Sequence, residues 1–581
     1  MKRIIHLVST LTLFAGLALA QAPANTYVYS TFGQPASLDP ARAYDTASGA
    51  ILENVYETLY TFDDPAIDQL KPGLATSYEV LNDGLTYRFQ LRPDVQFHSG
   101  NTMTCADADW SFTYGMGTAH PEGATSYLLG KQFLGSQQTG DDVEAYLAEV
   151  TWAELDGFAT CPEGPDGLVF DLNLQAPDPA FMAVLAYTAF SIIDSEWAIA
   201  NGMWDGTEAT WADWIGRDLT QEFLHRNASG TGAYSVVEWG DASLIATRHD
   251  GYWGGAAPIE NVVFNYVDEE ATRILQLQQG DADRITLGQR ASLVQVRGAP
   301  GVVVHEEPDW AGTCVSAGFF NFAIDTNDNV DVGSGQLDGA GIPGDFFSDV
   351  NVRRAFAHLF DQDEFIAQIY QGEGAKLTMG LPNTFPGYNP DVPVRSIDLE
   401  AAEQYMRQAW DGALWETGFE FTALYNAGNT TRETLLNIIA DNLSFLGDGQ
   451  FVMNVRSLPW PDFLSRSAEK KIPFFALGWC ADYADARNFV NTFYDNDGFY
   501  SARTSINVPE MQAIIDQADV ILDQETRGFL YRDIGTLHYD QAPMVVYPVP
   551  TEYILTTDAI SGVYFNPMRS HYFLWKDIAK N

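Results

Sequence analysis

The sequence predicts an α/β protein, because segments with strand periodicity and segments with helical periodicity alternate along all 581 residues. Hydrophobic residues make up 46% of the chain and aromatic residues 13%, which is enough for a sizeable core. The length suggests several structural units. We find no internal repeat and no long low-complexity linker in the sequence.

The first third of the chain is rich in short strands. Residues 87–91 and 168–174 alternate between apolar and polar side chains, which is typical of a half-buried strand. Strands are predicted over 26–30, 87–91 and 168–174, and helices over 48–60 and 107–115.

The remaining two thirds carry clearer helix signals. A helix over 269–279 should end at Gly280, and Asp398 is a candidate N-cap of a helix that stops before Gly412. Two further helices are predicted over 352–360 and 361–372.

The first twenty residues differ from the rest. Lys2 and Arg3 precede an apolar stretch over 7–19, and residues 18–20 form an A-x-A cleavage pattern. We expect a secretory signal peptide over 1–20 and a mature periplasmic protein from Gln21. No cysteine lies near the cut, so no lipid anchor is expected, and no other apolar run is long enough to span a membrane.

The chain is strongly acidic. It holds 31 Lys and Arg against 78 Asp and Glu, a formal net charge of −47. Such a surface repels nucleic acid and anionic membranes, so neither is expected as a partner. Solubility in a salty habitat and attraction of cationic ligands both remain open as reasons for the charge.

Common catalytic and metal-binding motifs are absent from the sequence. There is no G-x-S-x-G, Gly130-Lys131 is not followed by Ser or Thr, and His305-Glu306 lacks a second histidine at 309. We therefore predict a binding protein without a cofactor rather than an enzyme. A secreted hydrolase remains the alternative from another functional class.

The segment 325–345 is rich in Asp, Asn and Gly. Oxygen-bearing side chains alternate at Asp325, Asn327, Asn329 and Asp331. Val330 and Gln336 stand where a calcium-binding loop carries glycine and glutamate. A solvated surface loop and a calcium site are both open, and the first is favoured.

The most informative segment is 478–483, Gly-Trp-Cys-Ala-Asp-Tyr. It follows an apolar run over 472–477 that predicts a buried strand. A buried unpaired carboxylate is costly, so Asp482 requires a cation or several N–H donors. That cation could be an arginine or lysine of this protein, or the amino group of a ligand.

Several blocks together resemble the peptide/oligopeptide-binding family, family 5, of the extracytoplasmic solute receptors that serve ABC importers. The blocks occur in the family's order over nearly the whole mature length. They are 37–40 (SLDP), 53–60 (ENVYETLY), 71–78 (KPGLATSY), 85–92 (LTYRFQLR), 97–100 (FHSG), 230–234 (GTGAY), 249–253 (HDGYW), 273–283 (RILQLQQGDAD) and 351–356 (NVRRAF).

The resemblance implies a two-lobe periplasmic-binding-protein fold with an extra domain inserted in the first lobe. The ligand would lie between the lobes, and a monomer would deliver it to a membrane permease. The implied boundaries are 21–52, 226–312 and 547–581 for lobe I, 53–225 for the inserted domain, and 313–546 for lobe II.

The resemblance also implies ligand-binding residues. Segment 478–483 is similar to the oligopeptide-binding branch, where the corresponding aspartate pairs with the ligand's α-ammonium, so this role falls to Asp482. Trp460 and Trp479 would lie in the ligand-facing wall, although ordinary core packing is also open. The segment from Tyr44 through Thr46 to Ala47 would pair with an extended ligand through its backbone.

The same resemblance implies a disulfide between Cys314 and Cys480, which leaves Cys105 to pair with Cys161. An even number of cysteines in an exported chain favours two disulfides, with free buried thiols as the alternative.

The sequence departs from the oligopeptide branch at Ala476, where that branch has an arginine that meets the ligand's carboxylate. Arg432 and Arg487 are the candidate replacements. The departure leaves open a non-peptide solute such as an oligosaccharide, which could stack on some of the 14 tryptophans.

Overall fold

The computed structural model describes residues 23–581, except 67, 68, 137, 139, 141, 308, 309 and 522. The predicted signal peptide lies outside the described residues. Among the described residues, no helix combines the length and the apolar composition that a membrane crossing requires.

A seven-stranded mixed sheet includes the first strand of the described chain. Thr26–Thr31 pairs in parallel with Asn261–Tyr266 on one side and with Arg284–Ile285 on the other. In spatial order the strands are Val302–His305, Ile554–Thr557, Arg284–Ile285, Thr26–Thr31, Asn261–Tyr266, Ser243–Arg248 and Tyr234–Trp239.

A five-stranded sheet contains the predicted strand before Asp482. Phe419–Asn426 pairs in parallel with both Phe451–Leu458 and Phe474–Cys480, whereas Cys314–Phe320 runs antiparallel to Phe474–Cys480. In spatial order the strands are Phe451–Leu458, Phe419–Asn426, Phe474–Cys480, Cys314–Phe320 and Met544–Val546.

A four-stranded antiparallel sheet and three two-stranded ladders complete the strands. The four-stranded sheet has the order Ala75–Leu81, Thr86–Leu91, Val169–Asn173 and Ala159–Thr160. The ladders pair Tyr60–Phe62 with Leu70–Pro72, Gly374–Ala375 with Val549–Pro550, and Ile560–Ser561 with Ala579–Lys580.

The α-helices of the described residues lie between these strands. They are Thr46–Val55, Cys105–Thr118, Thr125–Leu134, Val143–Glu149, Trp152–Gly157, Phe181–Val184, Ser195–Ala200, Glu208–Trp211, Glu270–Gln279, Val350–Ala357, Gln362–Gln368, Leu399–Gln408, Ala413–Thr417, Thr430–Ser444, Trp460–Ala468, Arg487–Tyr494, Ser501–Thr504, Pro509–Ala518 and Gln524–Gln541.

The helix predicted over 48–60 is shorter in the structure. It ends at Val55, and a strand begins at Tyr60. The expected caps are present elsewhere: the Asp398 carboxylate accepts from the Ala401 N–H, and Gly280 adopts a left-handed φ of 77° after the helix Glu270–Gln279.

The strand Phe474–Cys480 is covered on both faces. Phe475, Leu477 and Trp479 pack in one buried cluster, whereas Phe474 and Ala476 pack in another. Because both faces are covered, the strand is a continuous apolar run instead of an alternating one.

Candidate ligand-binding site

Three parallel strands end at one edge of the five-stranded sheet. Asn426 ends the central strand and pairs in register with Leu458 of its neighbour, and Leu424 pairs with Phe475 of the third strand. Trp460 and Asp482 follow the carboxyl ends of these strands. The carboxyl edge of parallel strands is the usual place for a ligand in an open α/β sheet.

Asp482 lies at this edge and is 6% exposed. Its Oδ2 accepts hydrogen bonds from the Tyr44 hydroxyl at 2.9 Å and from Asn488 Nδ2 at 3.0 Å. Asn488 Oδ1 in turn accepts from the Asp482 backbone N–H at 3.0 Å. Within the described residues, nothing donates to Oδ1 of Asp482, and no Lys, Arg or His pairs with this carboxylate.

Burial raises the pKa of Asp482 to about 7, and the hydrogen bonds from Asn488 and Tyr44 oppose that shift. Both donors are neutral, so neither supplies the positive charge that would stabilise the ionised form. The internal ion pair considered from the sequence is not formed by the described residues. The first N–H of the neighbouring helix Arg487–Tyr494 donates to the Asp485 carboxylate and not to Asp482.

Aromatic rings surround the carboxylate. Tyr44 packs edge-on against Trp479 and Tyr187, with ring centroids 5.6 and 5.8 Å apart. Phe499 contacts Trp479 at 4.9 Å, and Tyr127 contacts Trp479 at 6.1 Å. We call these five rings the aromatic cluster. They shield the carboxylate from water and present π-faces that attract cations.

Trp460 and Trp479 occupy different environments. Trp479 is 8% exposed, belongs to the aromatic cluster and donates its Nε1 hydrogen to Asn488 Oδ1 at 3.2 Å. Trp460 is 39% exposed and stacks on Phe463 at the start of the helix Trp460–Ala468. Trp479 therefore contributes to core packing, whereas Trp460 offers open surface at the carboxyl edge.

Arg432 lies at the same carboxyl edge. Its Nη1 donates to Asn426 Oδ1 at 2.6 Å, and its Nη2 lies 3.3 Å from the position that a Cβ on Gly478 would take. Burial lowers the pKa of Arg432. Within the described residues this half-buried guanidinium has no carboxylate partner, so its positive charge remains available.

Arg487, the other candidate for the ligand carboxylate, is occupied. Its Nη1 binds Asp178 Oδ2 at 2.8 Å and its Nε lies 3.4 Å from Asp519 Oδ1. Two carboxylates of the protein therefore already neutralise Arg487, which favours Arg432 as the replacement for the missing arginine at Ala476.

The segment after Tyr44 does not continue as a strand. The Asp45 carboxylate accepts from the N–H groups of Ala47 and Ser48 and caps a helix that begins at Thr46. The Ala47 N–H is therefore already bonded within the protein, which disfavours strand-like pairing of this residue with a ligand. Exposed Thr46 lies in the first turn of the helix, where backbone N–H groups have no partner within the helix.

Two disulfides are present, and the described residues include no free cysteine. Cys105 is bonded to Cys161, and Cys314 to Cys480. Cys314 and Cys480 face each other across an antiparallel ladder, two residues before Asp482. The bridge therefore ties the end of this strand to its neighbour.

The segment 325–345 is a largely exposed loop, as favoured from the sequence, but its central aspartate faces the interior and not the solvent. Asp331 is 1% exposed, and its carboxylate binds Arg456 at 2.6 Å and Arg466 at 2.8 Å. Two guanidiniums occupy the oxygens that a calcium ion would need. Asp331 is therefore a structural ion-pair residue.

A family model described as bacterial extracellular solute-binding proteins, family 5 middle, matches residues 69–501. The match covers well over half of the chain. This chain belongs to family 5 of the bacterial extracellular solute-binding proteins. Members of this family are binding receptors, so the prediction of a binding protein rather than an enzyme is confirmed.

Relatives of this family 5 protein share its length. The chain is 25% identical over 530 residues to heme-binding protein A of Haemophilus influenzae, covering 90% of this chain and 86% of that protein. It is 23% identical over 584 residues to the dipeptide-binding protein of Escherichia coli, covering 97% and 96%.

A solved structure shares the fold. The periplasmic binding protein DppA of Helicobacter pylori, in complex with the peptide STSA, superposes with a TM-score of 0.74 at 22% identity, covering 96% of this chain and 98% of that one. The predicted two-lobe α/β fold is confirmed.

Four residues around Asp482 were not predicted from the sequence. Asn488 is close in sequence, and its position six residues after Asp482 is a signal that could have been followed. Tyr127, Tyr187 and Phe499 come from distant segments without any motif, so no local signal points to them.

Proposed function

We propose that this family 5 receptor captures a short peptide between its two lobes and holds the peptide's α-ammonium at Asp482. The observation that carries the proposal is a buried carboxylate with one oxygen unshared and no cationic partner among the described residues. A ligand ammonium supplies both the charge and the N–H donors that this oxygen lacks.

Arg432 would bind the ligand's carboxylate and so limit its length. Its guanidinium lies against Gly478, four residues before Asp482. Four residues span at most ~14 Å, which is the extended length of a peptide of about four residues. This distance sets an upper limit on the length of a ligand that reaches both groups. We therefore favour di- to tetrapeptides, with Trp460 beside the carboxyl end.

Closure of the lobes would bury the ligand and form the surface that an ABC permease recognises. For this role we retain the boundaries 21–52, 226–312 and 547–581 for lobe I, 53–225 for the inserted domain and 313–546 for lobe II. The exported, unanchored periplasmic form after removal of residues 1–20 is part of the same proposal.

A non-peptide solute is the competing ligand class, since one relative is named for heme binding. Calorimetry on the mature chain should compare Ala-Ala and Ala-Ala-Ala with the N-acetylated peptides, heme and cello-oligosaccharides. Tight binding of the free peptides, lost on acetylation, supports the proposal. Binding of heme or the oligosaccharide without any peptide binding refutes it.

The variant Asp482→Asn tests the amine anchor. Truncating one side of a buried charge pair costs about 2–5 kcal/mol, so peptide affinity should fall at least ~30-fold. Asp441→Asn, on the exposed face of the helix Thr430–Ser444, is the matched control and should bind as the wild type does. Unchanged affinity in Asp482→Asn would disprove the anchor.

A further inference from the structure

A second half-buried guanidinium lies beside the aromatic cluster. Arg503, in the short helix Ser501–Thr504, donates from Nη1 to the Phe499 carbonyl oxygen at 2.9 Å. Its guanidinium stacks on the Phe499 ring, 3.6 Å from the ring centroid. Its Nε is buried and has no acceptor among the described residues.

No carboxylate neutralises Arg503 within the described part of the chain. The charge of Glu122 raises the pKa of Arg503, but the Glu122 carboxylate is itself paired with Arg42 at 2.6 Å. Burial lowers the pKa of Arg503 to about 10, so the guanidinium is charged at neutral pH. The buried Nε of Arg503 is shielded from water without an acceptor among the described residues, which is unfavourable.

Arg503 adjoins the surroundings of Asp482 through Phe499, whose ring centroid lies 6.3 Å from that of Tyr44 and 6.0 Å from that of Tyr127. The Tyr44 hydroxyl donates to Asp482. Phe499 also contacts Tyr500 at 5.6 Å, and the Tyr500 hydroxyl donates at 2.8 Å to the carbonyl oxygen of Gly478, the glycine beside Arg432. The carboxyl edge therefore holds two separate positive charges and one negative charge.

A peptide with neutral side chains matches only two of these three charges. Its ammonium pairs with Asp482 and its terminal carboxylate with Arg432, which leaves Arg503 without a partner. We propose that the receptor prefers peptides that carry an acidic side chain, whose carboxylate binds Arg503. This inference rests on the proposed function and names the ligand class for the same site.

Calorimetry at pH 7.5 on the mature chain tests the preference. Ala-Glu and Glu-Ala should be compared with their amide counterparts Ala-Gln and Gln-Ala, which have nearly the same shape without the charge. In the wild type, we expect at least one acidic peptide to bind ~30-fold more tightly than its amide counterpart, since charged pairs buried at an interface contribute on this scale.

The variant Arg503→Gln should lose this preference and bind the amide peptides within about threefold of the wild type. Arg532→Gln, at an exposed pair with Asp391, is the matched control and should keep the preference. If Arg503→Gln does not fold, the wild-type comparison of acidic and amide peptides tests the inference together with Arg503→Lys. Lysine retains the charge, so this variant should keep the preference for acidic peptides.

Two negative outcomes are distinguishable. If the wild type binds neutral and acidic peptides equally, or if Arg503→Gln keeps the preference, the acidic-ligand inference is overturned and the peptide receptor stands. If no peptide binds at all, the proposed function fails and this inference fails with it.

Discussion

The Asp482 carboxylate is buried, and its hydrogen-bond donors among the described residues carry no positive charge. These donors are Tyr44 and Asn488. The pKa of about 7 in the folded protein lies above the ordinary value of 3.8. The folded state therefore binds one more proton than the unfolded state between about pH 4 and pH 7.

This linkage makes Asp482→Asn stabilising when no ligand is bound. The folded-state pKa is raised, so the stability contributed by Asp482 is lost as pH rises from about 4 towards 7. An uncharged amide removes that loss. We expect the ligand-free variant to melt at a higher temperature than the wild type at pH 8, with little difference at pH 4. Scanning calorimetry at pH 4 and pH 8 measures this difference in melting temperature. An equal difference at both pH values would contradict the prediction.

The same pKa predicts a bell-shaped pH dependence of peptide affinity. The complex needs the Asp482 carboxylate and a protonated α-amino group, whose ordinary pKa is about 8. Affinity should peak between about pH 7 and 8 and fall about tenfold for each unit below 7. Calorimetry in buffers of different ionisation enthalpy at pH 6 should show proton release on binding. Asp482→Asn should remove the acidic limb.

At the scale of elements, the strand Phe474–Cys480 is held by its neighbour through Cys314–Cys480. This bridge closes a loop of 166 residues and Cys105–Cys161 one of 56. The chain-entropy model assigns them about 5 and about 4 kcal/mol of stability respectively. The two bridges are expected to contribute similar stability, but they lie at different distances from Asp482. Each double variant can therefore serve as the control for the other.

Replacing both members of either bridge by serine should lower the free energy of unfolding by comparable amounts. Only the Cys314/Cys480 double variant should also weaken peptide binding, because Cys480 lies two residues before Asp482. Denaturant unfolding and calorimetry measure the two effects. Equal losses of affinity in both double variants would show that the bridge does not position Asp482.

At the scale of the whole molecule, two contacts cross the predicted boundary between the inserted domain and lobe II. Arg487 binds Asp178 across this boundary, and the Tyr127 hydroxyl lies 2.9 Å from Thr492 Oγ1. Arg487 also contacts Asp519 within predicted lobe II. One arginine therefore has one partner on each side of the boundary.

Asp178→Asn should shift the receptor towards an open form without touching the ligand. If the closed population falls tenfold, peptide affinity falls about tenfold as well. Small-angle scattering should give a larger radius of gyration with ligand absent. Asp519→Asn, on the same arginine within predicted lobe II, is the control and should change neither value. Identical behaviour of the two variants would refute a closing role for Asp178.

Local patterns were sufficient for most elements that position the site. The apolar run before Asp482 predicted a buried strand because both faces of Phe474–Cys480 are covered. The helix predicted to reach residue 60 ends at Val55 because the chain joins a ladder at Tyr60. Tyr60 pairs with a segment outside the predicted helix, so the periodicity of the helical sequence carries no information about this pairing.

The choice among arginines required the tertiary structure. Arg432 and Arg487 are equal candidates in the sequence, and no motif points to Arg503. Asp178 neutralises Arg487 from 309 residues away. Whether a guanidinium is free or paired depends on which distant carboxylates fold against it, and no local spacing records that.

The sequence by itself determined the family and the two-lobe α/β fold, because these follow from ordered motifs. It also made Asp482 a candidate ligand anchor, because one acid stands at the end of an apolar strand. Only the tertiary structure decided the surroundings of Asp482: Tyr44 and Asn488 as neutral donors, the aromatic cluster, and two guanidiniums without carboxylate partners among the described residues. The physical reason is that the energy of a buried charge depends on the neighbours that folding assembles around it, and these come from segments hundreds of residues apart.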